Sequence, residues 1–144
     1  MVDYARIDKI TRTKQTTKDV FYSDFLVNLN AHPETKALTK NTNDEAVKKA
    51  VRNLILTNKG ERLYNPEFGC DLRNLLFENM NEMTAEEIRL KIADALTKHE
   101  PRVRVIDIAV VPDEIANGYY VGLYLEVINS ITPITINITL YRVR

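Results

Sequence analysis

The chain has 144 residues, 44% of them hydrophobic and 28% charged, with twenty Lys and Arg balanced by twenty Asp and Glu. That length suits one domain, which buries about 70% of the surface an extended chain exposes, and that composition excludes general disorder and points away from a membrane protein. Formal neutrality removes the net field that draws a chain to nucleic acid or to anionic lipid.

At the N-terminus, Asp3, Arg6, Asp8 and Lys9 interrupt any signal-peptide pattern, and no run approaches ~18 apolar residues. A soluble protein made in the cytosol is expected. Residues 1–43 read as an arm followed by an extended segment, polar from Lys9 to Lys18 and briefly apolar through Val20, Phe21, Tyr22, Phe25 and Leu29. Asn28 to Asn43, with Pro33, reads as a loop.

From Asp44 the period changes, and a domain over residues 44–144 begins. Val47, Ala50, Val51, Leu54 and Ile55 fall at i, i+3, i+4, i+7 and i+8 on one helical stripe. Asn43 is placed to cap that helix and Gly60 to end it in a left-handed conformation. A shorter helix is predicted from Asp71 to Asn79, with Leu72, Leu75 and Leu76 inward. Phe68, Leu76 and Phe77 are predicted core residues. Thr84-Ala85-Glu86-Glu87 has the form of a capping box opening a third helix, with Ala85, Ile88, Ile92, Ala95 and Leu96 on its apolar face. Pro101 stops it, since proline donates no amide hydrogen and disfavours helical geometry in the residue before it.

After Pro101 the period drops to two. Val103 to Val111, Tyr119 to Ile128 and Ile134 to Val143 read as three antiparallel strands joined by short turns, one of them carrying Asn117-Gly118. Helices segregated from an antiparallel meander predict an α+β domain, about three helices on one face of the sheet.

Catalytic chemistry is poorly supported. Glu61, Glu67 and Glu78 raise the reading of a paired-carboxylate glycosidase, but such an enzyme needs two carboxylates at a set separation in a sugar-binding cleft, one with a raised pKa. No Trp is present to build the cleft, and the surroundings are rich in Arg and Lys. His99 reads as a solvated helix end, and the single Cys70 as a buried spectator thiol. No nucleophile elbow and no glycine-rich phosphate loop occur, so no cofactor is implied.

The ordered blocks Lys59-Gly60-Glu61-Arg62, Pro66-Glu67-Phe68-Gly69, Leu75-Leu76-Phe77-Glu78 and Glu100-Pro101-Arg102 carry the remaining signal. Gly60, Pro66, Phe68 and Gly69 read as loop-structuring residues. Arg62, beside Tyr64, is either a clamp within the loop or an intersubunit contact. Glu100-Pro101-Arg102 fixes an acid and a guanidinium on a helix-to-strand corner, either as an internal salt bridge or as a bidentate contact to a partner.

In this order and spacing the blocks resemble the small baseplate wedge subunit of contractile-tailed phages, a family shared with related injection and type VI secretion machines and sometimes named as tail lysozyme. The resemblance is good over about Asp44 to Val111 and holds in outline elsewhere. It implies a structural virion protein of the tail baseplate, made in the host cytoplasm, with a fold similar to the strand-exchanging domain of tail sheath proteins. Its implied partners are the larger wedge proteins, met by Glu100, Pro101 and Arg102, and the tail sheath protein, which pairs strands with it. Six copies per baseplate are implied, with no strong self-association, no nucleic acid and no membrane. The alternative from another class is a tail-associated peptidoglycan hydrolase.

Overall fold

A computed structural model describes residues 19–25, 31, 36–130 and 132–142. Residues 1–18 of the arm and extended segment expected over 1–43, the apolar Leu26, Val27 and Leu29, and the end of the third predicted strand at Val143 lie outside them. Two short strands, β1 (Ser23–Phe25) and β2 (Lys40–Thr42), pair antiparallel ahead of the first helix. The stretch expected to be loop therefore ends in a strand.

Helix α1 spans Asp44–Leu56 and buries Val47, Val51, Leu54 and Ile55, as its period requires. Asn43 stands at the capping position but does not cap. Its Oδ1 instead accepts from the amides of Phe21 and Tyr22, at 2.9 and 3.3 Å, and its Nδ2 donates to the Asp19 carbonyl. The residue has been drafted to hold the preceding segment, a tertiary demand that outweighs the local preference.

Helix α1 ends at Thr57, in extended geometry, so Gly60 does not terminate it. Gly60 (φ +84) instead opens a loop in which its amide donates to the Pro66 carbonyl at 2.8 Å, and the loop closes where the Cys70 amide donates to the Thr57 carbonyl at 3.0 Å. Gly69 (φ +126) lies under that closure. A Cβ there would come within 2.5 Å of the Thr57 carbonyl oxygen, so both conformation and space demand glycine.

The second helix is shorter than expected. Helix α2 is a single turn, Arg73–Leu76, with Leu72 and Leu75 buried and Leu76 partly so. Phe77 follows the turn and is 46% exposed, not a core residue, because one turn cannot carry it back under the sheet. Helix α3 spans Glu82–His99 and buries the predicted Ala85, Ile88, Ile92, Ala95 and Leu96. Its cap is Asn81, whose Oδ1 accepts from the Thr84 amide at 2.7 Å. Thr84 is already inside the helix, buried, and donates to the Asn79 carbonyl at 3.0 Å.

The sheet is a three-stranded antiparallel meander in the order β3–β4–β5, with β3 at Val103–Asp113, β4 at Gly118–Val127 and β5 at Ile134–Tyr141. Helix α3 packs along β3, and α1 against β5. Ile134, Ile136, Ile138 and Leu140 face the helices beside Tyr119, Val121, Leu123, Leu125 and Val127. The opposite face, with Tyr120, Tyr124 and Tyr141, is open. The two layers enclose one core, giving the expected α+β architecture.

Cys70 is buried, and burial pushes its thiol up to about 12, so it is an inert part of this core. One polar atom in the core is unusual: the Tyr119 hydroxyl is buried with no hydrogen-bond partner among the described residues. A buried hydroxyl without a partner costs about 1–3 kcal/mol, so Tyr119→Phe should leave stability unchanged or raise it by ~1 kcal/mol in denaturant unfolding. A clear loss would show that the hydroxyl is satisfied. The two loop glycines should separate: Gly60→Ala, with open space around its Cβ, should cost about 1 kcal/mol for its left-handed backbone. Gly69→Ala should cost upwards of ~3 kcal/mol, since strain adds to a clash with backbone. Equal losses in the two unfolding curves would contradict this account of the closure.

Candidate functional site

The last turn of α3 gathers three of the four sequence blocks. Glu100 caps the helix through its amide, which donates to the Leu96 carbonyl at 2.9 Å, and its side chain turns inward with only 8% exposed. A carboxylate at a helix C-terminus meets the negative end of the dipole and is doubly disfavoured when buried. Arg102 neutralises it with a two-pronged contact, Nε to Oε1 at 2.5 Å and Nη2 to Oε2 at 2.8 Å. This contact raises the guanidinium above its ordinary range. Pro101 spaces the pair, and the Arg102 carbonyl accepts from the Ile128 amide at 2.9 Å, tying the corner to the end of β4.

The other side of Arg102 meets the N-terminal segment. Its Cζ lies 5.4 Å from the Tyr22 ring centroid, and the Tyr22 hydroxyl donates to the Ile128 carbonyl at 3.1 Å. Lys49 pairs with Asp24 at 3.1 Å and holds that carboxyl below its usual range. Residues 22 and 24 had no motif to announce them, and only their contacts reveal the role. Arg102 still exposes 37% of its side chain and Pro101 is exposed, so the corner is an internal clamp with an outer surface.

The loop between α1 and α2 leans on the same helix end. Phe68 is partly buried, and the guanidinium of Arg62 lies 4.0 Å from its ring centroid. Arg62 therefore clamps its own loop by cation–π contact. The ring of His99 sits 5.3 Å from Phe68, half-buried against the expectation of a solvated helix end. Lys98 reaches Glu67 at 3.9 Å, an exposed and weak pair. Gly60, Pro66, Phe68 and Gly69 shape this loop, and the contacts of Arg62 with Phe68 and of Phe68 with His99 bring it to the residue that precedes the Glu100-Pro101-Arg102 corner.

The carboxylates considered for glycoside hydrolysis, Glu61 and Glu67 on this loop and Glu78 beyond α2, lack the environment such work needs. Asn58 donates to Glu61 from its backbone and its side-chain amide, holding the Glu61 carboxyl below its usual range. A general acid needs the opposite shift. Glu67 is 71% exposed, and Glu78 is exposed beyond α2.

The family model described as baseplate wedge protein gp25 matches residues 41–129. The protein of that name from Enterobacteria phage T4 is 36% identical over 77 residues, covering 54% of this chain and 58% of that one. The chain thus matches little more than half the length of that relative. Among solved structures, a Geobacter sulfurreducens protein whose name assigns it provisionally to the tail lysozymes superposes with a TM-score of 0.64 at 24% identity, over 70% of this chain and 92% of that one. A chain in the baseplate of the anti-feeding prophage gives 0.59 at 20% identity, over 85% and 87%. These two likenesses are of fold. With the family match spanning well over half the residues and running from β2 through the corner to the end of β4, the chain belongs to the baseplate wedge protein gp25 family.

Proposed function

We propose that this structural component of a contractile tail baseplate works without chemistry, binding larger wedge proteins through the Glu100-Pro101-Arg102 corner and templating the tail sheath with a free strand edge. The protein stands in the virion baseplate, after synthesis in the host cytoplasm, in six copies held by their neighbours and not by each other. The depressed Glu61 carboxyl and the exposure of Glu67 support the scaffold over the hydrolase.

The observation that carries this reading is the unequal treatment of the two sheet edges. Strand β3 is guarded by a bulge between Val105 and Asp107, by Arg104, Asp107 and Asp113, and by Pro112. These are the devices that keep an edge from pairing. Strand β5, Ile134-Thr-Ile-Asn-Ile-Thr-Leu-Tyr141, has none of them: no charge, no proline and no bulge in its eight-residue register with β4. Among the described residues no strand pairs with its outer side. An uncharged, unbulged edge of this kind is a hazard unless used, and strand addition is its use.

The corner reading supports a separation of folding from assembly. Arg102→Ala leaves the Glu100 carboxylate buried and unpaired, and should destabilise the isolated domain by about 1–3 kcal/mol, discounted because the guanidinium is partly solvated. Glu100→Gln with Arg102→Met removes both charges and should recover most of that stability in unfolding curves while wedge assembly stays impaired. Normal assembly by the double variant would confine the corner to an internal role. For the edge, successive amides of a strand point to opposite sides, so one of Asn137→Pro and Ile138→Pro breaks the pairing with β4 and the other only the outer row. The one that still folds should yield baseplates without sheath in electron micrographs. Full sheath on those baseplates would rule out β5 as the template.

A further inference from the structure

In the loop between α1 and α2 the charged Glu61 and Arg62 and the large apolar Leu63 and Tyr64 are all exposed. Ordinarily polar side chains face water and apolar ones turn under. Here the Glu61 carboxylate folds back onto Asn58, with Oε1 accepting from its side chain at 2.7 Å, and Arg62 lies down on Phe68. Leu63 and Tyr64 are left standing, 93% and 102% exposed. They touch almost nothing of their own chain, so neither structural packing nor loop closure accounts for them.

The backbone that carries them is fixed. Gly60 donates to Pro66, the Asn65 amide to the Arg62 carbonyl at 3.2 Å, and the Phe68 amide to the Asn65 carbonyl at 3.1 Å, all below the Gly69 closure. Two large apolar side chains on a pre-formed turn lose little backbone freedom on docking, the arrangement that makes an anchor effective. We propose that Leu63 and Tyr64 form a docking knob that seats in an apolar cleft of another baseplate protein, with an acceptor at its floor for the Tyr64 hydroxyl. A buried tyrosine hydroxyl requires such a partner.

Three observations select that occupant. Glu61 and Glu67 stand among Lys59, Arg62, Arg73 and Lys98, with Glu67 paired to Lys98 at 3.9 Å, so the surroundings of the knob are of mixed sign and not the unbroken cluster of cations that draws a protein to an anionic membrane. The two side chains offer on the order of 300–400 Å², too little for a free-standing dimer, which needs roughly 1,200 Å² or more, but suited to one anchor within a larger contact. The loop also leads through Phe68 to His99, the residue before Glu100, and the inference rests on the proposed reading that a wedge protein binds at the Glu100-Pro101-Arg102 corner, beside which the knob would add an anchor.

The test uses whole tails made with Leu63→Ser/Tyr64→Ser in place of the natural chain, and separately with the photocrosslinker p-benzoylphenylalanine at position 64. The isolated double variant should unfold within about 2 °C of the parent, because the replaced side chains pack on nothing. Its incorporation into tails, measured by mass spectrometry of purified particles, should fall at least tenfold, and Tyr64→Phe should fall by a smaller factor. The crosslinker should give one adduct with a different baseplate protein. Normal incorporation of the double variant overturns the knob, whatever corner substitutions do to assembly. An adduct with a second copy of this chain overturns it too, as does flotation of the isolated parent protein on phosphatidylcholine/phosphatidylglycerol vesicles that the double variant loses.

Discussion

The buried Glu100 carboxylate is the constraint around which this domain is arranged. It sits where a helix must end and a strand must begin, at the negative pole of α3, and a charge there is tolerable only if a cation is held against it. Arg102 supplies that cation two residues on, and Pro101 between them removes the option of continuing the helix. The order acid, proline, arginine is thus a solution to one electrostatic problem: no residue of the three can be replaced without changing what the other two must do. Because the Arg102 carbonyl also takes the Ile128 amide and its guanidinium lies over Tyr22, the same three residues register α3, the meander and the N-terminal segment against each other.

A corner built this way is rigid. A bidentate guanidinium–carboxylate pair has one good geometry, so the outer surface of Arg102 and Pro101 is presented in one orientation. The sheet adds a second fixed direction, since β3 is defended against pairing and β5 is not. Under the proposed function, one oriented corner and one open edge would let a small protein pass position from one partner to another.

Most of the architecture was legible because hydrophobic period reports packing directly. The inward stripes of α1 and α3 and the alternation of β5 are buried in the core nearly residue for residue. What misled were residues with two competing uses. Asn43, Asn81 and Thr84 are all good caps by type; which one caps depends on what else each must hold, and Asn43 is committed to Phe21 and Tyr22 while Thr84 is already buried. Phe77 looked like core because it is large and follows two leucines, but α2 closes after one turn. Arg62 was ambiguous for a similar reason, since a cation beside aromatic residues can face in or out; it lies over the Phe68 ring while remaining exposed. Tyr22 and Asp24 carried no signal, as their roles come wholly from residues distant in sequence.

The sequence blocks that looked separate are consequences of one another. Gly69 lets the chain pass under the Thr57 carbonyl, which brings Phe68 onto His99; Phe68 gives Arg62 a surface, which lays that cation down and leaves the following two residues upright. His99 in turn precedes Glu100, so the shape of the loop and the charge pair of the corner meet at the last turn of one helix. A change that loosened Gly69 would move Phe68 and, through His99, the corner itself. The spacing of glycines, phenylalanine and the acid–proline–arginine run is therefore set by a single packing arrangement, and the surface it offers to neighbours is the outside of that arrangement.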